Sequence, residues 1–128
     1  MSLMSISPLD GRYAARVEAL SSYFSEWALI RYRFQVEIAW LVMLSERREF
    51  PHVRPMSTAE KQCLQDWVAT FDAQQAQRVK EIEAVIRHDV KAVEYYLKER
   101  LQGTSLADLH EWVHFCCTPR ISPTWRMP

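Results

Sequence analysis

Glycine is nearly missing from this chain, with two residues in 128. So few cannot supply the turns of a β architecture or a glycine loop that cradles phosphate. An excess of charge of one sign is missing too, because sixteen Lys and Arg offset sixteen Asp and Glu. Without a positive field the chain is not expected to bind nucleic acid or an anionic membrane surface. No apolar run approaches the roughly 20 residues of a membrane span, and the N-terminus lacks the charged-then-apolar order of a signal peptide. The chain therefore reads as cytoplasmic. Three cysteines, Cys63, Cys116 and Cys117, make neither an even disulfide framework nor a CxxC metal pair. They read as reduced thiols packed as small hydrophobes.

What is present is helical pattern in a chain of single-domain length that is 48% hydrophobic. Met1, Ser2 and Leu3 read as an expression scar ahead of a native start at Met4. Ser5–Ala14 carries Pro8 and Gly11 and is expected to be an extended arm or turn. From Ser22 or Ser25 a long helix is expected, since Tyr23, Trp27, Ile30, Phe34, Ile38, Leu41 and Val42 recur at helical spacing. Leu29, Val36, Ala39, Trp40, Met43 and Leu44 widen its apolar face, which suits burial against several neighbours or another subunit. Pro51 and Pro55 end it.

Ser57 with Glu60 forms a capping-box pattern that opens a second helix through Cys63, Leu64, Trp67, Val68 and Phe71, continuing to Val79, Ile82, Val85 and Ile86. A third run, DVKAVEYYLKERL, places Val90, Val93, Tyr96, Leu97 and Leu101 on one face, and Gly103 stops it. Ser105 or Asp108 is placed to cap a last short helix, LADLHEWVHFCC. The expectation is an all-α, bundle-like domain. Trp27, Trp40, Trp67 and Trp112 fall at apolar helical positions and read as core, because no basic groove accompanies them.

Three clusters carry possible chemistry. In DGRY, Asp10–Tyr13, glycine permits a sharp backbone turn, while Arg12 and Tyr13 offer a forked cation and a phenol donor to phosphate or carboxylate. The plain alternative is a surface turn. In RHDV, Arg87 beside His88 can grip an anion and Asp89 can orient the imidazole or fix its tautomer. The plain alternative is a solvated helix face. The third cluster is His110, His114, Cys116 and Cys117. His110 to His114 matches the letters of HExxH, but a zincin helix also needs a downstream third ligand and an open cleft. That match reads as coincidental, and no metal is expected.

SPLDGRY, then RHDVKAVEYYLKE, then HFCCT occur in the order and spacing of the first domain of the adenylosuccinate lyase family, in the fumarase/aspartase superfamily. The resemblance runs from about Ser5 to Thr118. It implies the N-terminal helical domain of that superfamily, truncated before the central long-helix bundle. The implied enzyme is a homotetramer when full length. It eliminates fumarate from adenylosuccinate, giving AMP, and from SAICAR, giving AICAR, in purine biosynthesis, with no cofactor and no zinc.

Carried over by position, the resemblance implies that Arg12 and Tyr13 contact the phosphate end of the purine nucleotide. It implies that Arg87, His88, Asp89 and Thr118 line the substrate pocket, with His88 a positioning imidazole that supports proton transfer. The elimination needs a base for a carbon-bound proton, an acid for the leaving nitrogen, and hydrogen bonds that stabilise carbanion-like charge. The family takes its principal base and acid from later domains and other subunits, so this chain alone is expected to be inactive. An exposed helix face is expected to favour self-association.

In the family the threonine matching Thr118 is followed by Ser-Glu-Asp-Ile, whereas here PRISPTWRMP follows. If Arg120 is read as AGG, Ile121 as ATA and Trp125 as TGG, a one-base deletion near codon 118 accounts for the difference, so residues 119–128 are expected to be an out-of-frame, irregular tail. Residues 4–118 are then the lyase-type domain. Within the superfamily the DGRY arm favours the purine enzyme over argininosuccinate lyase. A non-catalytic helical interaction module derived from the lyase fold is the alternative from another class, and a metalloprotease built on HEWVH ranks last.

Overall fold

The computed structural model of the chain describes residues 3–117. Thr118 and the tail at 119–128 lie outside them. The described residues form four principal helices with short helical turns at either end, and no strand among them.

The arm is held as a series of turns. The Asp10 carboxylate accepts from the Ser7 amide at 2.7 Å, and Tyr13 N donates to Pro8 O at 2.9 Å. The Ser7 amide, which contributes most, keeps the Asp10 carboxyl below its ordinary value. Gly11 suits a tight turn here, because a Cβ would sit 3.3 Å from both Ser5 Cβ and Ser7 O. Three short helical turns then follow, Ala14–Val17, Glu18–Leu20 and Ser21–Phe24, which the sequence pattern does not announce. None of them buries a residue.

Helix α1, Glu26–Glu46, begins where Ser25 Oγ accepts the Ala28 amide. It is the central element, packing against each of the other three principal helices. Ile30, Phe34, Ile38, Leu41 and Leu44 are buried along it, while Tyr23, Leu29 and Val36 are exposed. The wide apolar face thus serves several neighbours and leaves a remainder open.

Helix α2, Thr58–Ala69, starts at the expected capping box, with Glu60 N donating to Ser57 Oγ and Ser57 N to Glu60 Oε2. The continuous second helix expected from the apolar pattern is instead two. The chain breaks after Ala69, and Asp72 with Gln75 forms a second capping box that opens α3, Ala73–Ile86. Phe71 at the break is buried, touching Phe34 at 5.2 Å and Tyr96 at 6.3 Å between ring centroids. Such aromatic pairs contribute about 0.5–1.5 kcal/mol each beyond their burial. Val85, assigned to the apolar face by spacing, is 83% exposed.

Helix α4, Asp89–Leu101, follows α3 after only Arg87 and His88. The two helices pack as a hairpin, and the Arg78–Glu99 ion pair at 3.1 Å closes it far from the turn. Gly103, at φ +77°, takes the left-handed conformation expected just beyond a helix end.

The last helix is a correction. Ala107–Trp112 is a 3-10 helix without a side-chain cap. Asp108 is drawn away to Arg54, and Ser105 Oγ donates to Glu60 at 2.8 Å, so neither is free to cap. Trp27, Trp40, Trp67 and Trp112 pack against the core as expected. Cys63 and Cys117 are half-buried, but Cys116 is exposed, contrary to the packed-thiol expectation. Burial, then the charge of Glu37, pushes the Cys117 thiol upward. Among the described residues no helix is long and apolar enough to cross a membrane.

Candidate functional site

The turn between α3 and α4 forms one wall of an open cleft of about 640 Å³. Arg87, His88 and Asp89 line it together with Glu26, Leu29 and Arg33 of α1 and Lys80, Glu83 and Ala84 of α3. The sequence cluster RHDV is therefore brought into a concave site.

Each of its residues has a backbone reason to be there. Arg87 terminates α3 at φ 54°, ψ 38°, the left-handed region that costs a non-glycine residue roughly 1–2 kcal/mol. His88 is extended and acts as the N-cap of α4, its Nδ1 accepting the Lys91 amide at 3.1 Å. An Nδ1 that accepts carries no proton, so the neutral ring holds its hydrogen on Nε2. Asp89 opens the helix, with Oδ1 accepting the Val90 amide at 2.8 Å and Oδ2 facing Arg33 NH1 at 2.8 Å. Burial pushes the Asp89 carboxyl up, but the Val90 amide and the Arg33 guanidinium outweigh it and hold it below its ordinary value.

The geometry departs from one expectation. Asp89 does not orient the imidazole, since its carboxylate lies 4.0 Å from His88 Nδ1 and that nitrogen already takes a backbone amide. The carboxylate is committed to Arg33, and the helix end itself fixes the tautomer.

The charges of the cleft pair off unevenly. Lys80 binds Glu83 at 2.7 Å and Glu26 at 3.1 Å, which raises its ammonium above the ordinary value. Arg33 is paired with Asp89. Among the described residues Arg87 has no carboxylate partner, which leaves it and His88 as the donors available to an incoming anion. Arg33 and Lys80 were missed by the sequence reading, because a single cation in a helical run carries no local signal.

Arg12 and Tyr13 do not line this cleft. Both are exposed on the arm, with the guanidinium 4.7 Å from the phenol ring centroid. Thr118 lies outside the described residues. The HEWVH letters fall on the 3-10 helix and the turn after it, where the two histidines serve different partners. His110 Nε2 faces Glu111 at 2.7 Å, and His114 Nδ1 faces Glu37 at 2.5 Å. The helical face that a zincin motif requires is absent there.

No family model matches the chain. Among curated proteins it is 44% identical over 117 residues to "Adenylosuccinate lyase" of Haemophilus influenzae. It is 42% identical over 120 residues to the protein of that name from Escherichia coli K12, and 42% identical over 124 residues to that of Dictyostelium discoideum. Each match covers 91% of this chain and 26% of the relative. The fold and this likeness define an all-helical segment that resembles part of these enzymes. In sequence the chain is similar to the adenylosuccinate lyases, and it spans about a quarter of the length of the curated relatives it matches.

Proposed function

We propose that this chain supplies one wall of the substrate site of a fumarate-releasing lyase acting on adenylosuccinate and SAICAR in purine biosynthesis, in the cytoplasm. What carries the reading is the cleft at the α3–α4 turn. There a strained Arg87, without a carboxylate partner among the described residues, and a tautomer-fixed His88 converge in RHDVKAVEYYLKE, one of the segments that carry the resemblance. Strained backbone that persists beside a cleft is characteristic of functional sites.

In this reading Arg87 binds a substrate carboxylate or phosphate by charge-assisted hydrogen bonds. His88 donates from Nε2, positioning the substrate while proton transfer is performed elsewhere. Asp89, tied to Arg33, holds the pocket edge. Arg12 and Tyr13 reach the phosphate end when the arm folds over the site, and the resemblance assigns Thr118, outside the described residues, a substrate contact as well. Residues 4–118 form the lyase-type domain. The principal base and acid belong to other parts of a full-length homotetramer, so this chain alone releases no fumarate.

The test is a chimera in which residues 4–117 replace the matching segment of the Haemophilus influenzae relative. A tetramer that releases fumarate, and loses that activity on His88→Ala, supports the proposal. A folded tetramer without activity refutes it.

A second reading, a helical interaction module without chemistry, draws on the exposed Phe24, Leu29, Val36 and Val85. Concentration-dependent self-association of the chain in sedimentation velocity, together with an inactive chimera, would favour it.

A further inference from the structure

We propose that Arg33 is the positioning residue that fixes the His88 imidazole, acting through Asp89 and the first turn of α4. The inference rests on the lyase reading for its catalytic consequence, but its structural content does not need a substrate.

The observations form a chain. Arg33 stands about a third of the way along α1, and its side chain is 28% exposed. It crosses to the opening residue of α4 and binds Asp89 Oδ2 at 2.8 Å. The other oxygen of Asp89 accepts the Val90 amide, and His88 Nδ1 accepts the Lys91 amide. Two of the free amides at this helix end are thereby satisfied by side chains. Arg33 is the contact from the central helix that anchors them in the tertiary structure. Such an anchor is required, because the neighbouring Arg87 sits in the left-handed region and relaxes if the turn is not held from outside.

Without Arg33, the Asp89 side chain loses its only ion pair to another helix among the described residues. The start of α4 frays, Lys91 N–H opens to water, and the imidazole regains both neutral tautomers. An Nδ1–H form presents an acceptor where the pocket needs a donor. Arg33 thus acts on the reaction without touching substrate.

The experiment uses the 128-residue chain labelled with ¹⁵N, with imidazole nitrogens observed by long-range proton–nitrogen NMR above the titration range of histidine. The parent is expected to hold His88 as the single Nε2–H tautomer. In Arg33→Met a mixture is expected, with Lys91 amide exchange faster by roughly ten-fold, and Arg33→Lys should restore most of the parent pattern. A folded Arg33→Met chain with an unchanged His88 tautomer and unchanged Lys91 exchange overturns the proposal. If Arg33→Met does not fold, Asp89→Asn removes the same ion pair from the exposed side, and an unchanged tautomer there overturns it equally.

In the chimera, Arg33→Met should lower kcat by up to roughly 100-fold with little change in KM. Parental kcat in that variant, with the tautomer altered, would confine Arg33 to a structural role and overturn the catalytic part. An inactive parent chimera would instead count against the lyase reading, leaving the tautomer result standing.

Discussion

Glu37 Oε1 lies 2.5 Å from His114 Nδ1, although 77 positions separate the two residues. Both side chains are largely buried, and three residues further along α1 the Trp40 indole donates to Phe115 O at 2.8 Å. These two contacts fasten the last described turn to the central helix. The second oxygen of Glu37 is buried with no hydrogen-bond partner among the described residues, so the carboxylate depends on the histidine.

The two halves of that pair are therefore unequal. His114→Phe leaves a buried carboxylate with neither oxygen satisfied and is expected to cost about 3–5 kcal/mol. Glu37→Leu strands only a neutral imidazole and should cost about 1–3 kcal/mol. The double variant should be more stable than His114→Phe alone. Urea unfolding of the three variants checks the order, and an additive double variant contradicts it.

A second prediction concerns acid. Arg54 bridges three segments, binding Glu60 at 2.9 Å, Asp108 at 2.6 Å and Ser105 O at 2.7 Å. Chiefly through Arg54, and then the Ser57 amide, the Glu60 carboxyl is held down from 4.5 to about 2. Asp108 is lowered by the same guanidinium. A depressed carboxyl stabilises the fold above its unfolded value and loses that contribution as pH falls through its folded value. The urea midpoint should thus decline as pH drops from 4.5 toward about 2. Glu60→Gln should flatten that decline while lowering stability at neutral pH.

Arg87 separates stability from function. Replacement by glycine removes the left-handed penalty and should stabilise the chain by about 1 kcal/mol. In the chimera the same change removes the guanidinium and should raise KM for the anionic substrate. A thermal melt and a steady-state titration read the two effects. A fall in both stability and activity would show that the guanidinium is needed for folding.

His88 can be divided in the same way. Asparagine preserves an N-cap acceptor, so His88→Asn should leave stability nearly unchanged, whereas His88→Ala should cost about 1 kcal/mol. Neither should support fumarate release in the chimera, since both lose the imidazole donor. Retained activity in His88→Asn would reduce the residue to a cap.

Much of this was legible beforehand for local reasons. The Ser57–Glu60 capping box, the stop at Gly103 and the burial of Phe34, Leu41 and Leu97 follow from spacing and backbone chemistry. The break at residues 70–72 was also written locally, as Asp72 and Gln75, but continuing apolar spacing masked it. The outcome at Ala107–Trp112 was not readable, because Asp108 was taken by Arg54 of a distant loop and the Ser105 hydroxyl by Glu60 of α2. The same holds for the cleft. RHDV could be singled out, but the pairing of Asp89 with Arg33 and the cleft shared with Lys80 depend on how α1 lies against the α3–α4 hairpin.

By itself, the sequence determined the all-helical class, most of the apolar positions of the principal helices, and the likeness to adenylosuccinate lyases. These rest on short-range periodicity and on residue identity, which need no knowledge of what lies across the core. The tertiary structure alone decided that Asp89 serves Arg33 rather than His88, that Glu37 meets His114, and that Arg87 stands beside the cleft with no carboxylate partner among the described residues. Charges choose partners by distance in space, and that distance is set only once the helices have packed.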